Sequence, residues 1–343
     1  IRLSELVDGQ EAVCYAALAK KTRGVNVRNQ PFYKCLFQDK RVKIEAPIWN
    51  DSRFFPEVDG WVEGLPYRVS VRGRMDLRFG MQLELLSIRP ADDSDTAHGF
   101  DFSDLYESSK YHPDVLLERI QILINRSIDD SYIKKLVETI IQENGSLLRR
   151  MPAAANFHHG YTAGLLEHIW SMARVAVFLA EHYAKYYCEL NPPLNQSVVV
   201  AAAILHDIGK LRELEYHPVE AKYTKEGQLI GHVLIGRDMI RETAGKIEGF
   251  PQETLLLLEH AVLSHHGKRE FGAPILPQTI EALLVSYIDD LDAKMNMVVK
   301  GQMTSDPADA FTGKIWALDN RRFYKGIPIE GDPSGLDGLS DND

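Results

Sequence analysis

Residues 198–210 read Val198-Val199-Val200-Ala201-Ala202-Ala203-Ile204-Leu205-His206-Asp207-Ile208-Gly209-Lys210. The first eight are apolar without a break. A helix with one wet face would alternate, so this segment is expected in the centre of a helical bundle. It ends on adjacent imidazole and carboxylate, followed by Gly209 as a helix stop. Together those two side chains suit a first-row divalent metal. Alone, the pair also fits an ordinary helix end, where His and Asp are common. The rest of the chain has to decide between them.

Around this segment the apolar spacing is helical from Pro113 onward. Val115, Leu116, Ile120 and Leu123 make one stripe, and Ile133, Leu136, Val137, Ile140 and Ile141 a second. Leu165, Ile169, Met172, Ala176 and Ala180 mark a longer helix. Leu255–His260 and Ile280–Val298 supply two more. Before residue 91 the period changes to two. Tyr67, Val69 and Val71 alternate with Arg68, Ser70, Arg72 and Arg74, and Met81, Leu83 and Leu85 with Gln82 and Glu84. Val42 and Ile44 alternate with Lys43 and Glu45, and the segment around Val13, Tyr15, Ala17 and Ala19 also has period two. Tyr33, Cys35 and Phe37 alternate with Phe32, Lys34 and Leu36, as in a strand buried on both faces. About five short strands without a strong helix predict a small closed barrel, since closure removes exposed edges.

The fold class expected is therefore multidomain α and β: a small closed five-stranded β-barrel over residues 1–90, then an all-α domain over 114–325. The acidic, Ser/Asp-rich stretch 91–113 reads as a linker, and the Gly/Asp-rich end, 326–343, as a disordered tail. A length of 343 residues agrees with about two domains. With 45% hydrophobic and 26% charged residues, the chain is excluded from the disordered and collagen-like classes. No apolar run approaches the roughly 18–20 residues that a spanning helix needs. Cys14, Cys35 and Cys188 form no CxxC and no even framework, and residues 1–13 hold no apolar signal segment. A reducing, cytoplasmic location without membrane attachment is expected. The net charge is −10, but residues 1–90 hold 15 Lys+Arg against 11 Asp+Glu. A mildly basic front on an acidic protein is compatible with a polyanion partner there, or with chance asymmetry of a solvated surface.

Other candidate ligands follow in order. His168 lies on the core-facing flank of its helix. His232 opens a helix after Gly231. His265 and His266 close another, followed by Gly267. Adjacent helical residues point about 100° apart, so that pair meets one ion only if the helix ends there. Asp289 and Asp292, three apart, share a flank of an apolar-striped helix, where unpaired acids are expensive. Asp292 reads as a group that backs a ligand or as a salt-bridge partner, rather than as a ligand itself, and His260 as an ordinary core or surface histidine.

The ordered set His168 … His206-Asp207 … Asp289 resembles the H…HD…D signature of the HD-domain metal-dependent phosphohydrolases. His232 and His265-His266 resemble the extra ligands of its two-metal members, and Lys210 the lysine of the HDxGK stretch. More narrowly, HHGYTAGLLEH (158–168), ILHDIGK (204–210), LSHHGKREFGAP (263–274), YIDDLDAKMNM (287–297) and ALDNRRFYK (317–325) resemble the YhaM-type 3′→5′ exoribonucleases. That family carries an OB-fold ahead of an HD domain, which implies that the five-stranded barrel over 1–90 is OB-like and binds nucleic acid, and that the all-α domain over 114–325 is the HD domain.

The resemblance implies an enzyme, a metal-dependent phosphodiesterase. It would hydrolyse single-stranded RNA, or DNA, from the 3′ end to nucleoside 5′-monophosphates through metal-activated water. It implies His168, His206, Asp207 and Asp289 as ligands of one ion, with Asp207 bridging to a second held by His232, His265 and His266. One or two divalent transition-metal ions are then required. The His-rich, carboxylate-poor set suits manganese, iron, cobalt, nickel or zinc better than magnesium, and manganese is the ion expected. Asp207 and Lys210 are the catalytic candidates. Lys210, Lys268, Arg269 and His159 are candidates for substrate contact.

In the barrel, Lys34, Arg68, Arg72 and Arg74 are candidate phosphate contacts. Of Phe32, Tyr33, Phe37, Trp49 and Trp61, one or two are expected to face nucleic acid and the others to be core. Homo-oligomerisation is compatible with the sequence. Two other readings remain: an HD hydrolase of a small nucleotide or cyclic dinucleotide, and a nucleic-acid-binding regulator with an inactive HD site. Against the former, no GYP tripeptide follows His265-His266. Against the latter, the ligand set has no gaps.

Overall fold

In a computed structural model, the described residues are 1–98, 100, 104–106, 108–153, 161–216 and 221–327. His158, His159 and the expected tail from 328 onward lie outside them. The chain divides into two compact units, Ile1–Asp292 and Ala293–Asp343.

The first unit opens with five strands: β1 (Glu11–Val25), β2 (Pro31–Gln38), β3 (Lys43–Trp49), β4 (Pro66–Asp76) and β5 (Gly80–Pro90). They form a closed barrel in the order β1-β2-β3-β5-β4, returning to β1. All pairings are antiparallel except β3 with β5. The length of β1 makes closure work, since its first half pairs with β4 and its second half with β2. Inside sit Cys14, Tyr33, Cys35, Phe37, Ile48, Trp61, Tyr67, Val69 and Val71. In β2, Tyr33, Cys35 and Phe37 are buried, but Lys34 is exposed and Phe32 and Leu36 are only half-covered. Only its inner face is therefore fully buried; on the outer face the described residues cover Phe32 and Leu36 in part and leave Lys34 exposed.

Two parts of the 91–113 segment pack on the barrel. Phe100 and Leu105 bury against Ala17, and Asp95 accepts from the two terminal guanidinium nitrogens of Arg89 and from the Tyr15 hydroxyl. Arg89 holds the Asp95 carboxyl well below its ordinary range.

Nine helices follow among the described residues: α1 (Pro113–Ser127), α2 (Ser131–Leu148), α3 (Gly164–Tyr186), α4 (Gln196–Leu205), α5 (Lys210–Glu213), α6 (Lys225–Ile230), α7 (His232–Ala244), α8 (Gln252–Ser264) and α9 (Ile280–Thr304). Every residue of α4 from Ser197 to Leu205 is buried, so α4 is the central helix that its composition predicts. Asn195 caps it, its side chain accepting from the Val198 N–H. Its Val199, Ala202 and Ala203 share a core with Met172 and Ala176 of α3, Ala261 of α8 and Val285 and Ile288 of α9. Small residues on α4 let these helices approach its axis, and the C-terminal end of α4 thereby meets their polar side chains. None of the helices is long and apolar enough to cross a membrane.

In the second unit, the chain after α9 folds back on itself. Isolated antiparallel bridges join Phe311 to Tyr324 and Ile315 to Arg321, and the buried Thr312 hydroxyl accepts from the Phe323 N–H.

Candidate metal centre

His206 is the C-cap of α4, and Asp207 follows it in the turn that leads to α5. This turn lies against the start of α7. A Cβ on Gly209 would stand 2.0 Å from the His232 carbonyl oxygen and 2.5 Å from the Gly236 nitrogen. Only glycine permits that approach, and it brings His232 to Asp207. α8 ends at Ser264, His265 is its C-cap, and Gly267 takes φ +69°. The helix thus stops where the adjacent pair requires it to. His265 and His266 come to one place, with ring centroids 4.2 Å apart.

Six of the seven expected ligands fall into two groups whose ligand atoms lie within 4.8 Å of one another: His168, His206 and Asp207; and His232, His265 and His266. The seventh, Asp289, adjoins the first group, its Oδ1 3.3 Å from His168 Nε2 and 3.8 Å from His206 Nε2. Asp207 stands between the groups. Its Oδ2 is 3.2 Å from His206 Nε2 and 3.8 Å from His168 Nε2. Its Oδ1 is 3.3 Å from His232 Nε2 and 3.8 Å from His265 Nε2.

Four imidazoles turn Nε2 inward and tie Nδ1 behind. His168 Nδ1 meets Asp292 Oδ2 at 2.8 Å, and His232 Nδ1 meets Glu213 Oε1 at 3.0 Å. His206 Nδ1 meets the Ala203 carbonyl at 2.9 Å, and His265 Nδ1 the Val262 carbonyl at 2.6 Å. An acceptor behind Nδ1 places the proton there and leaves the Nε2 lone pair facing the centre.

These groups fit a cation. Seven buried side-chain polar atoms make no hydrogen bond among the described residues, and four of them are here: Asp207 Oδ1, His232 Nε2, His265 Nε2 and His266 Nδ1. Buried polar atoms without partners are costly and rare, so a cluster of acceptors needs an electrophile.

The electrostatics agree. Burial, with His266 and His206 nearby, drives the His265 pKa well below its ordinary value, and burial lowers His266 as well. Both rings are neutral donors of lone pairs. Burial opposes ionisation of Asp207 and Asp289. Lys210 and His206 nonetheless hold Asp207 well below the carboxylate range, and His168 and His206 do the same for Asp289. Burial also disfavours charge on His168, but Asp289 and Asp292 outweigh it and push its pKa up to about 9. That is a demand for positive charge at the centre, which a bound cation meets in place of a proton.

The remaining expected site residues are placed differently. Lys210 is buried, and its Nζ donates to Asp207 Oδ2 at 2.6 Å. It is therefore engaged with the carboxylate rather than open to a phosphate. Lys268 and Arg269 are exposed just after His266, with Lys268 3.6 Å from Glu270. His260 Nε2 accepts from the Gln278 N–H, a structural role.

On the barrel, Lys34 pairs with Glu45, Arg68 approaches Asp95 at 4.0 Å, Arg72 pairs with Glu11 and Glu84, and Arg74 pairs with Glu84. The arginine row is real but matched by carboxylates. Of the five aromatics, Tyr33, Phe37 and Trp61 are core. Phe32 and Trp49 lie on the outer face, opposite each other in register and stacked with centroids 5.1 Å apart. Trp49 is 44% exposed. Gly24, the β1 partner of Phe32, leaves room for its ring: a Cβ there would be 3.2 Å from Phe32 Cε1.

Glu213 and Ser171 are functional candidates that sequence reasoning missed. Nothing in Lys210-Leu211-Arg212-Glu213 separates that acid from a surface one, and its role depends on α7 arriving beside it.

The HD domain family model matches residues 165–294, and a helicase family model, TraI_2, matches residues 108–213. The chain's four Gly-Lys pairs, at 209, 245, 267 and 313, are followed by Leu, Ile, Arg and Ile, so none completes a phosphate-binding GK[ST]. Three relatives bear the name 3′-5′ exoribonuclease YhaM. The protein of Geobacillus sp. (strain WCH70) is 36% identical over 320 residues, 93% of each chain. That of Shouchella clausii is 33% identical over 325 residues, 94% of each. That of Bacillus licheniformis is 32% identical over 320 residues, 93% of this chain and 96% of the relative.

Proposed function

Since this chain belongs to the YhaM family of 3′-5′ exoribonucleases, we propose that it removes nucleotides from the 3′ end of single-stranded RNA in a divalent-metal-dependent reaction. The products are nucleoside 5′-monophosphates, and single-stranded DNA is a second substrate. The observation that carries the reading is Asp207 placed between two groups of imidazoles, with Asp207 Oδ1, His232 Nε2, His265 Nε2 and His266 Nδ1 buried and without hydrogen-bond partners among the described residues.

His168, His206, Asp207 and Asp289 hold one ion, and Asp207, His232, His265 and His266 hold a second. Five imidazoles and two carboxylates suit a first-row divalent ion, and manganese is the one proposed. Bound there, a divalent ion supplies positive charge against the phosphodiester and acidifies water from pKa 15.7 toward about 7. The protein's own groups do the rest. Lys210 fixes one oxygen of Asp207, so that the other keeps its aim at His232 and His265. Lys268 and Arg269, exposed beside His266, meet backbone phosphates. Phe32 and Trp49 offer a flat, sequence-tolerant face for bases. The free thiols of Cys14, Cys35 and Cys188 support a reducing, cytoplasmic setting.

A 5′-labelled single-stranded RNA incubated with the protein and manganese tests the proposal. A ladder shortening from the 3′ end, absent with His206→Ala/Asp207→Ala, is expected. An oligomer left at full length by the unmodified protein would overturn it, and turnover of free nucleotides alone would transfer the site to small-nucleotide hydrolysis.

A further inference from the structure

A metal-ligating imidazole depends on the acceptor behind its other nitrogen, which fixes the ring and sets its basicity. The centre uses two kinds of backing. His206 and His265 each lean on a carbonyl three residues earlier, at the end of their own helix. That support comes with the helix end itself. His168 and His232 lean instead on carboxylates brought by tertiary structure, Asp292 from α9 and Glu213 from α5.

Each carboxylate is itself anchored. The Ser171 hydroxyl, one turn along α3 from His168, donates to Asp292 Oδ1. The main-chain N–H of His232 donates to Glu213 Oε1 at 2.9 Å, so Glu213 grips both the ring and the backbone of the residue it orients. The backing carboxylates are distributed one to each ligand group. A carboxylate polarises the N–H more strongly than a carbonyl does, so each group owes one of its imidazoles' basicity to one acid.

Resting on the metal reading of the site, we infer that Asp292 and Glu213 are positioning residues that govern the two ion positions separately. Asp292 acts through His168 on the inner group, where His168 and His206 are wholly buried. Glu213 acts through His232 on the outer group, where His232 and His266 keep an exposed edge. Neither acid has a ligand role of its own, and neither touches substrate.

Metal content tests this without reference to any nuclease activity. The full chain, stripped with chelator, is dialysed against graded manganese or cobalt, and bound ions per chain are counted by elemental analysis. The unmodified protein is expected to take up two. Asp292→Asn and Glu213→Gln keep shape and remove charge. Each should leave one uptake step in place and weaken the other by about 10–100-fold. The pair together should weaken both. Adding Asp292→Asn to Asp289→Asn should leave the remaining uptake step as it was, whereas adding Glu213→Gln should weaken that step by the same factor of about 10–100, since contacts within one group are non-additive and contacts between groups add.

Ser171→Ala, a milder change, should weaken the same step as Asp292→Asn. Thermal melting of the stripped variants checks that they fold. Uptake of both ions unchanged in either single variant overturns the assignment, as does equal weakening of both steps by each folded variant. Uptake of fewer than two ions by the unmodified protein also overturns it, while leaving the exonuclease reading to its own assay.

Discussion

The outer face of the barrel and the centre of the helical region both concentrate polar side chains, yet they treat them in opposite ways. On the barrel, Arg72 sits between Glu11 and Glu84, Arg74 shares Glu84, and Lys34 has Glu45. Each cation has a local answer in water, where a matched surface pair contributes little and is easily exchanged. At the centre, the groups are buried, and several atoms have no partner among the described residues. A folded chain keeps such an arrangement only when something outside the chain completes it. Residue type alone would rank the arginine row as the more promising site. Satisfaction of hydrogen bonds and charge reverses that ranking, and it marks the stacked Phe32 and Trp49 as the barrel's more available surface.

The contrast breaks first if the centre is dispensable. His206→Ala/Asp207→Ala removes the residue shared by both groups, and activity on a labelled RNA should fall by on the order of 10³-fold or more, since a metal's charge is worth several kcal/mol in the transition state. Single-turnover rates measure it, and a residual rate within tenfold of the parent would contradict the ligand assignment.

Next comes the approach that assembles the centre. Gly209→Ala forces a Cβ onto the His232 carbonyl. Overpacking of this kind costs about 1–3 kcal/mol. Denaturant unfolding should show that loss, accompanied by weaker metal uptake as α7 moves away from Asp207.

The barrel arm is smaller. Trp49→Ala removes a stacking surface worth about 1–3 kcal/mol per base. RNA affinity of the metal-stripped protein, read by fluorescence anisotropy, should drop, with the hydrolytic rate at saturating RNA nearly unchanged.

The smallest effect sharpens the comparison. Arg72→Ala and Arg74→Ala should leave the salt dependence of RNA binding as it was. A true phosphate contact would lower the slope by about one. A slope reduced in either variant would show that RNA displaces Glu11 or Glu84, and would restore the row as a binding site.

Much of this organisation is legible in the residues. The period-two runs around Tyr67–Val71 and Met81–Leu85 become β4 and β5. The unbroken apolar run 198–205 becomes the buried α4. Both depend only on short-range periodicity, which local sequence carries in full. The ordered His and Asp residues also show in the chain, because their types and the glycines beside them already restrict the chemistry. The pairing of Phe32 with Trp49 was not legible, since alternation separates faces without saying which face another element covers. Nor was the capture of Lys210 by Asp207: an HDxGK stretch reads the same whether its lysine points inward or outward.

By itself, then, the sequence determined the kinds of element, their order, and the inventory of candidate ligands. Tertiary structure alone decided which candidate ligands share a group, that Asp207 stands between the two groups, and that Asp292 stands behind His168 and Glu213 behind His232. Those relations join residues as far apart as His168 and Asp292, on α3 and α9. No local spacing encodes them; they arise when helices close on the small side chains of α4 and on Gly209, where a single added carbon would hold the parts of the site asunder.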